Sequence, residues 1–66
     1  MRSLITSSSV PVGKIKTFGK DGPKYQVGQA LRQLVDGDWV IQVTLIESGE
    51  IVEYRLSRIQ DDPEAY

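Results

Sequence analysis

No cysteine and no histidine occur in these 66 residues, and for so short a chain that double absence narrows what it can fold into more than any motif does. A domain of about 60 residues buries only about 60% of the surface its unfolded chain exposes, so small scaffolds commonly add disulfides, a structural metal or a second subunit. Disulfides need Cys, and structural zinc needs Cys or His. What remains is an efficient aromatic core, for which the chain has one Trp, three Tyr and one Phe, or a partner subunit.

The same absence bears on chemistry. The commonest general base and the best thiol nucleophile are both missing. Ser7-Ser8-Ser9 lies in a segment that nothing anchors. The acid pairs Asp36/Asp38 and Asp61/Asp62 fall in turn or tail sequence, where Asp bonds local backbone amides, and two carboxylates leave most of a hard cation's shell unfilled. Gly19-Lys20-Asp21-Gly22 lacks the Gly-Lys-Ser/Thr ending of a phosphate loop, and no helix follows it. The expectation is a protein that is not an enzyme, with no catalytic residue, no cofactor and no metal.

Along the chain, residues 1–11 read as a flexible N-terminal arm: Ser/Thr-rich, aperiodic and closed by Pro11, which cannot donate to a strand ladder. Residues 12–60 read as one small β domain and 61–66 as a short C-terminal turn or tail. Within the domain, Gly13 to Phe18 alternates as a strand does, and a turn cluster runs from Gly19 to Pro23. Tyr25 and Val27 share a strand face, and Gly28 marks a bulge or sharp bend. Ala30 to Val35 fits either a strand or a helical turn. Six uncapped residues running into the hairpin dipeptide Asp36-Gly37 favour the strand. Asp62-Pro63-Glu64 suits a first helical turn, with Asp62 as cap and Pro63 at the first position, although the chain ends too soon for a helix to propagate.

The second half alternates more clearly. Trp39 to Ile46 and Ile51 to Ser57 are rich in β-branched and aromatic residues. A two-residue loop at Ser48-Gly49 places Leu45 opposite Val52, Val43 opposite Tyr54 and Ile41 opposite Leu56, so that apolar meets apolar along one face. A three-residue loop would put Val43 against Glu53, and burial decides against that slip; a four-residue loop about the same centre keeps the pairing. On the far side the same register pairs Ile46 with Ile51, with Val40 farther along. These make a modest apolar patch that the N-terminal arm, the C-terminal tail with Ile59 or a second copy would cover, and a weak two-fold dimer is the favoured cover.

Charge is divided along the sequence. Residues 1–34 carry six basic side chains and one acid, and residues 35–66 carry two basic and eight acidic ones. Lys14, Lys16, Lys20 and Lys24, interleaved with Phe18 and Tyr25, are the set that would track a phosphate backbone and stack bases. Against this, a core this small needs those aromatics, and the isoelectric point near 5.2 is far from the basic balance of a nucleic-acid module. Trp39 reads either as core or as an interface anchor at one end of the domain. No apolar stretch suits a signal peptide or a membrane span, so the cytoplasm is the expected compartment and no membrane partner is expected. An initial Met without a tag reads as a complete chain.

Three phrases together, Phe18-Gly19-x-x-Gly22-Pro23-x-Tyr25-x-Val27, Asp36-Gly37-Asp38-Trp39, and Glu47-x-Gly49-Glu50-x-x-Glu53-Tyr54-Arg55-Leu56-Ser57 with a closing Asp62-Pro63-Glu64-Ala65, resemble a family of very short bacterial proteins classed as a domain of unknown function. The resemblance covers about residues 12 to 65. It implies a bacterial, cytosolic, stand-alone protein, and brings no activity, cofactor or binding residue. The fold expected from the residues is all-β: a small antiparallel meander of four or five strands, as an SH3-like barrel or a strongly bent sheet. The expected function is a non-enzymatic interaction module that binds another protein or itself. The alternative is a nucleic-acid-binding small β-barrel using the basic N-terminal half. Candidate interaction residues are Lys14, Lys16, Lys20, Lys24, Trp39, Ile46 and Ile51.

Overall fold

The computed structural model describes residues 10–65. Four antiparallel strands, β1 (Ile15–Thr17), β2 (Lys24–Gln33), β3 (Trp39–Leu45) and β4 (Ile51–Arg55), form one sheet in chain order, followed by a short helix, α1 (Leu56–Asp61). The sheet is not closed into a barrel. β1 and β4 are its two edges, and α1 spans the inner face from the end of β4 back towards β1. Ala30 to Gln33 is strand, as the run into Asp36-Gly37 implied, and Gly37 takes the positive φ that the β2–β3 turn requires. The pairing of β2 with β3 shifts register between Val27 and Ala30 and again between Ala30 and Arg32. These irregularities bend β2. Gly28 sits at the first of them because a Cβ there would lie 2.5 Å from the Gln42 carbonyl oxygen.

The core is Val10, Tyr25, Val27, Ile41, Val43, Leu56 and Ile59, with Phe18, Ala30, Trp39, Leu45, Val52 and Tyr54 packed around it. Alternation puts Tyr25, Val27, Ile41 and Val43 on one face of the sheet, and Leu56 and Ile59, three apart on α1, close over them. Phe18, Tyr25 and Tyr54 form an aromatic triad with ring centroids 4.3, 4.9 and 5.6 Å apart. Val10 is 7% exposed, so the packed domain begins earlier than residue 12. The rest of the expected arm, residues 1–9, lies outside the described residues.

The main hairpin keeps the expected inner face and changes its partners. Val43 pairs with Val52 and Ile41 with Tyr54, a shift of two residues, because the four-residue loop spans 46–49 instead of centring on Ser48-Gly49 as expected. Leu45 bonds the Glu50 carbonyl, and Gly49, at φ 74°, closes the turn. A shift of two preserves the inside–outside pattern, which is all that burial can specify. Leu56, expected to continue β4 opposite Ile41, instead opens α1.

The expected outer patch does not form. Ile46 is in the turn, Ile51 faces Thr44, and Val40 is buried. Val40 lies between Arg32 and Arg55 in the register, where their aliphatic stems flank it. Arg32 reaches over the same face to Glu53 at 2.9 Å.

Residues 62–65 do not form the helical turn that Asp62-Pro63-Glu64 suggested. Asp62 ends α1, its backbone N–H bonding the carbonyls of Arg58 and Ile59, and Pro63 then stops helical propagation. The following residues run antiparallel to β1: Thr17 N–H donates to the Pro63 carbonyl at 3.1 Å, Ala65 N–H donates to the Ile15 carbonyl at 2.8 Å, and Lys16 bridges to Glu64. The Asp62 carboxylate accepts the Tyr25 hydroxyl at 2.6 Å, the Tyr54 hydroxyl at 3.1 Å and the Gly19 N–H at 3.0 Å. Burial, then the bond to Asp62, push the Tyr25 hydroxyl's pKa well above the ordinary phenol value, and Tyr54 moves the same way for the same leading reason.

Candidate functional site

At the end of the sheet away from the tail, the β2–β3 turn meets the junction of β4 and α1. Asp-Gly-Asp makes the turn in the usual way: Asp36 Oδ1 accepts the Asp38 N–H at 3.0 Å. Asp38 then reaches across. Its Oδ1 accepts the N–H of Trp39 at 2.8 Å and of Ser57 at 3.1 Å, and its Oδ2 accepts the Ser57 hydroxyl at 2.7 Å. Ser57 is in the first turn of α1, whose own flanking residue, Arg55, offers no side-chain cap. Asp38 therefore caps the helix from a turn distant in sequence, supplying both an acceptor and the negative charge that a helix start favours.

Arg55 closes the arrangement, with Nη1 2.8 Å from Asp36 and 3.4 Å from Asp38. The hydrogen bond from Arg55 draws the Asp36 carboxyl below its usual range, and the Ser57 hydroxyl does the same for Asp38. Around this frame lies a cleft of about 390 Å³, lined by Asp36, Asp38, Trp39, Arg55, Ser57 and Gln60 among others. Trp39 packs against the core on one side, as its core reading expected, and lines the cleft on the other. Its indole N–H is buried with no hydrogen-bond acceptor among the described residues. An aromatic wall, two carboxylates and a guanidinium held in place by hydrogen bonds can fix the orientation of a bound side chain. Among the described residues no three His, Cys, Asp or Glu side chains cluster as a metal site would need.

The basic set is not one face. Lys16 is 7% exposed, and its ammonium donates to the Ile59 carbonyl at 2.5 Å. It pairs with Tyr25 and so points inward. The alternation from Gly13 to Phe18 thus turns Lys16 towards the core, where the last turn of α1 offers a carbonyl that a cation satisfies. Lys14 precedes β1, Lys20 lies in the turn beyond its other end, and Lys24 opens β2 opposite Thr17. Phe18 and Tyr25 are committed to the aromatic triad. Lys24 and Ile46 do meet, with Gly22, Pro23 and Glu47, around a smaller depression of about 320 Å³. Ile51 is 61% exposed on β4.

Asp36, Asp38, Arg55, Ser57 and Gln60 were absent from the candidates that the sequence suggested. For all but Gln60 the signal was in two phrases already noted, Asp36-Gly37-Asp38-Trp39 and Glu53-Tyr54-Arg55-Leu56-Ser57, which bond one another through Asp36, Asp38, Arg55 and Ser57. A model of a family of unknown function (DUF5397) matches residues 3–66. An uncharacterized protein of Haemophilus influenzae is 48% identical over 56 residues, which cover 85% of this chain and 89% of that protein.

Proposed function

Because the chain belongs to the family of unknown function DUF5397, which supplies no activity, we propose from the geometry that it is a small binding module that works by contact with a protein partner rather than by catalysis. The observation that carries this is the Trp39 cleft: turn and helix are tied by Asp38 and Arg55, so its walls are fixed before anything binds. Preorganisation of that kind lowers the ordering cost of association, and Trp and Arg are the side chains that most often anchor protein interfaces. The bent β2, the single helix after β4 and the tail returning to β1 support an SH3-like reading of the architecture. No helix among the described residues is long and apolar enough to cross a membrane, and the cytoplasm is the proposed setting.

The test is a pull-down from the native host with wild-type protein and Trp39→Ala as baits, each in nuclease-treated and untreated lysate. The expected result is a protein retained by wild type in both lysates and lost from the variant. Material that disappears on nuclease treatment would favour nucleic acid instead, and equal retention by both baits would remove the cleft from the account.

A further inference from the structure

The two outer edges of the sheet are treated differently. β1's is covered by Pro63–Ala65, whereas β4's carries no strand among the described residues. In an antiparallel pair, directly bonded positions alternate with unbonded ones. Leu45 bonds Glu50, so Val43/Val52 and Ile41/Tyr54 are bonded pairs, and the N–H groups of Ile51, Glu53 and Arg55 point away from the sheet. Proteins guard such an edge with proline, a bulge or a projecting charge, lysine above all. β4 has no proline, no lysine and an unbroken register with β3. Its two charges lie on the outer face rather than over the edge, where Glu53 meets Arg32 and Arg55 meets Asp36 and Asp38, each through one side-chain atom, so that each keeps further acceptors or donors.

We infer that this edge pairs with the same edge of a second copy, β4 against β4, antiparallel about a two-fold axis. This rests on the reading of the protein as a binding module but uses the edge rather than the cleft. The outward side chains read apolar, acidic, basic: Ile51, Glu53, Arg55. Two-fold antiparallel pairing about Tyr54 sets each Glu53 directly opposite the other copy's Arg55, whereas pairing about Glu53, or in-register parallel pairing, would set like charge on like. An isologous contact needs only a self-complementary patch, and the strand is one in that register. Three residues from each strand make a small interface, so the dimer is weak, with a dissociation constant on the order of 100 μM.

Sedimentation equilibrium, together with residue-resolved amide exchange at low and high concentration, tests this on the full chain. The expected result is a reversible dimer in which the Glu53 and Arg55 amides exchange more slowly as concentration rises. Glu53→Pro removes an outward N–H and no bond of the β3–β4 ladder, and Glu53→Lys sets like charge near Arg55 of the second copy. Each should weaken dimerisation at least tenfold while the far-ultraviolet spectrum stays that of the wild type, so the inference survives failure of either variant to fold. Trp39→Ala should dimerise normally. Dimerisation without capture of a partner would thus overturn the proposed function alone, and capture by a monomer would overturn this inference alone. A monomer at 1 mM (roughly tenfold above that constant), unchanged affinity in whichever Glu53 variants fold, or edge amides protected equally at every concentration, as a segment of the same chain would protect them, each overturns it.

Discussion

Asp38 accepts four hydrogen bonds from three residues, and it is the side chain through which the β2–β3 turn, α1 and the cleft become one unit. Replacing it with Ala removes a helix cap and a charge-assisted network, and should cost about 2 kcal/mol at neutral pH. The loss should depend on pH. The Ser57 hydroxyl, with the backbone N–H groups of Trp39 and Ser57, holds the folded carboxyl below its usual range, so the stabilisation is complete above the unfolded value near about 3.9 and fades as pH falls through the folded one. The melting-temperature gap between wild type and Asp38→Ala should therefore narrow from about pH 6 to about pH 2.5; a constant gap would mean that the charge is irrelevant. Gly28 is a second decisive residue. Its absent Cβ is what lets the Gln42 carbonyl approach, so Gly28→Ala must push two backbones apart and should cost more than about 2 kcal/mol in urea unfolding. Gly37→Ala meets no neighbour within 4 Å and bears only the strain of φ 92°, so about 1 kcal/mol is expected there.

Among the elements, those built from local pattern were legible in the sequence, and those built from distant contacts were not. β2 and β3 follow from period-2 alternation and from Asp36-Gly37. The inner face of the β3–β4 hairpin follows from burial, which fixes parity and leaves loop length open. Val43→Asp, at a position with 0% exposure, should therefore abolish the cooperative melt, and Thr44→Asp, on the opposite face, should shift it by a few degrees at most. The reverse order would refute the inside–outside assignment. α1 escaped the sequence because both its stabilising ends come from elsewhere. Asp38 serves its N-terminus and Lys16 its C-terminal carbonyl, each with the sign the helix dipole favours, and neither is within fifteen positions of the helix. Six residues with Leu56 and Ile59 as the only buried pair make no periodic signal strong enough to outweigh the strand before them. The cleft was hidden for the same reason: its residues were in view as two phrases, but the bonds joining them span 17 to 19 positions.

For the molecule as a whole, the question left by the absence of cysteine and histidine is what holds so small a fold closed, and the position of Asp62 gives an answer. Its carboxylate gathers Gly19, Tyr25 and Tyr54, and the residues after it cover β1 through two backbone hydrogen bonds. The chain's end is thus bonded to its first strand and to the aromatic triad, a non-covalent closure where other small domains use a covalent one. These five bonds, at about 1 kcal/mol each, are comparable with the stability of about 3–5 kcal/mol that a core of this size supplies. Deleting residues 62–66 should therefore leave no cooperative thermal transition by circular dichroism, and should bare a β1 edge that promotes aggregation. Asp62→Asn keeps the backbone bonds and one acceptor oxygen, so it should fold with a melting temperature lowered by about 4–8 °C for each kcal/mol lost. The two outcomes together separate the carboxylate from the strand pairing. If the deletion melts within a few degrees of wild type, the tail is an ornament and the four strands with α1 suffice. If the deletion unfolds while Asp62→Asn melts like wild type, the closure resides in the backbone pairing with β1, and the tyrosine hydroxyls merely find in Asp62 a convenient acceptor.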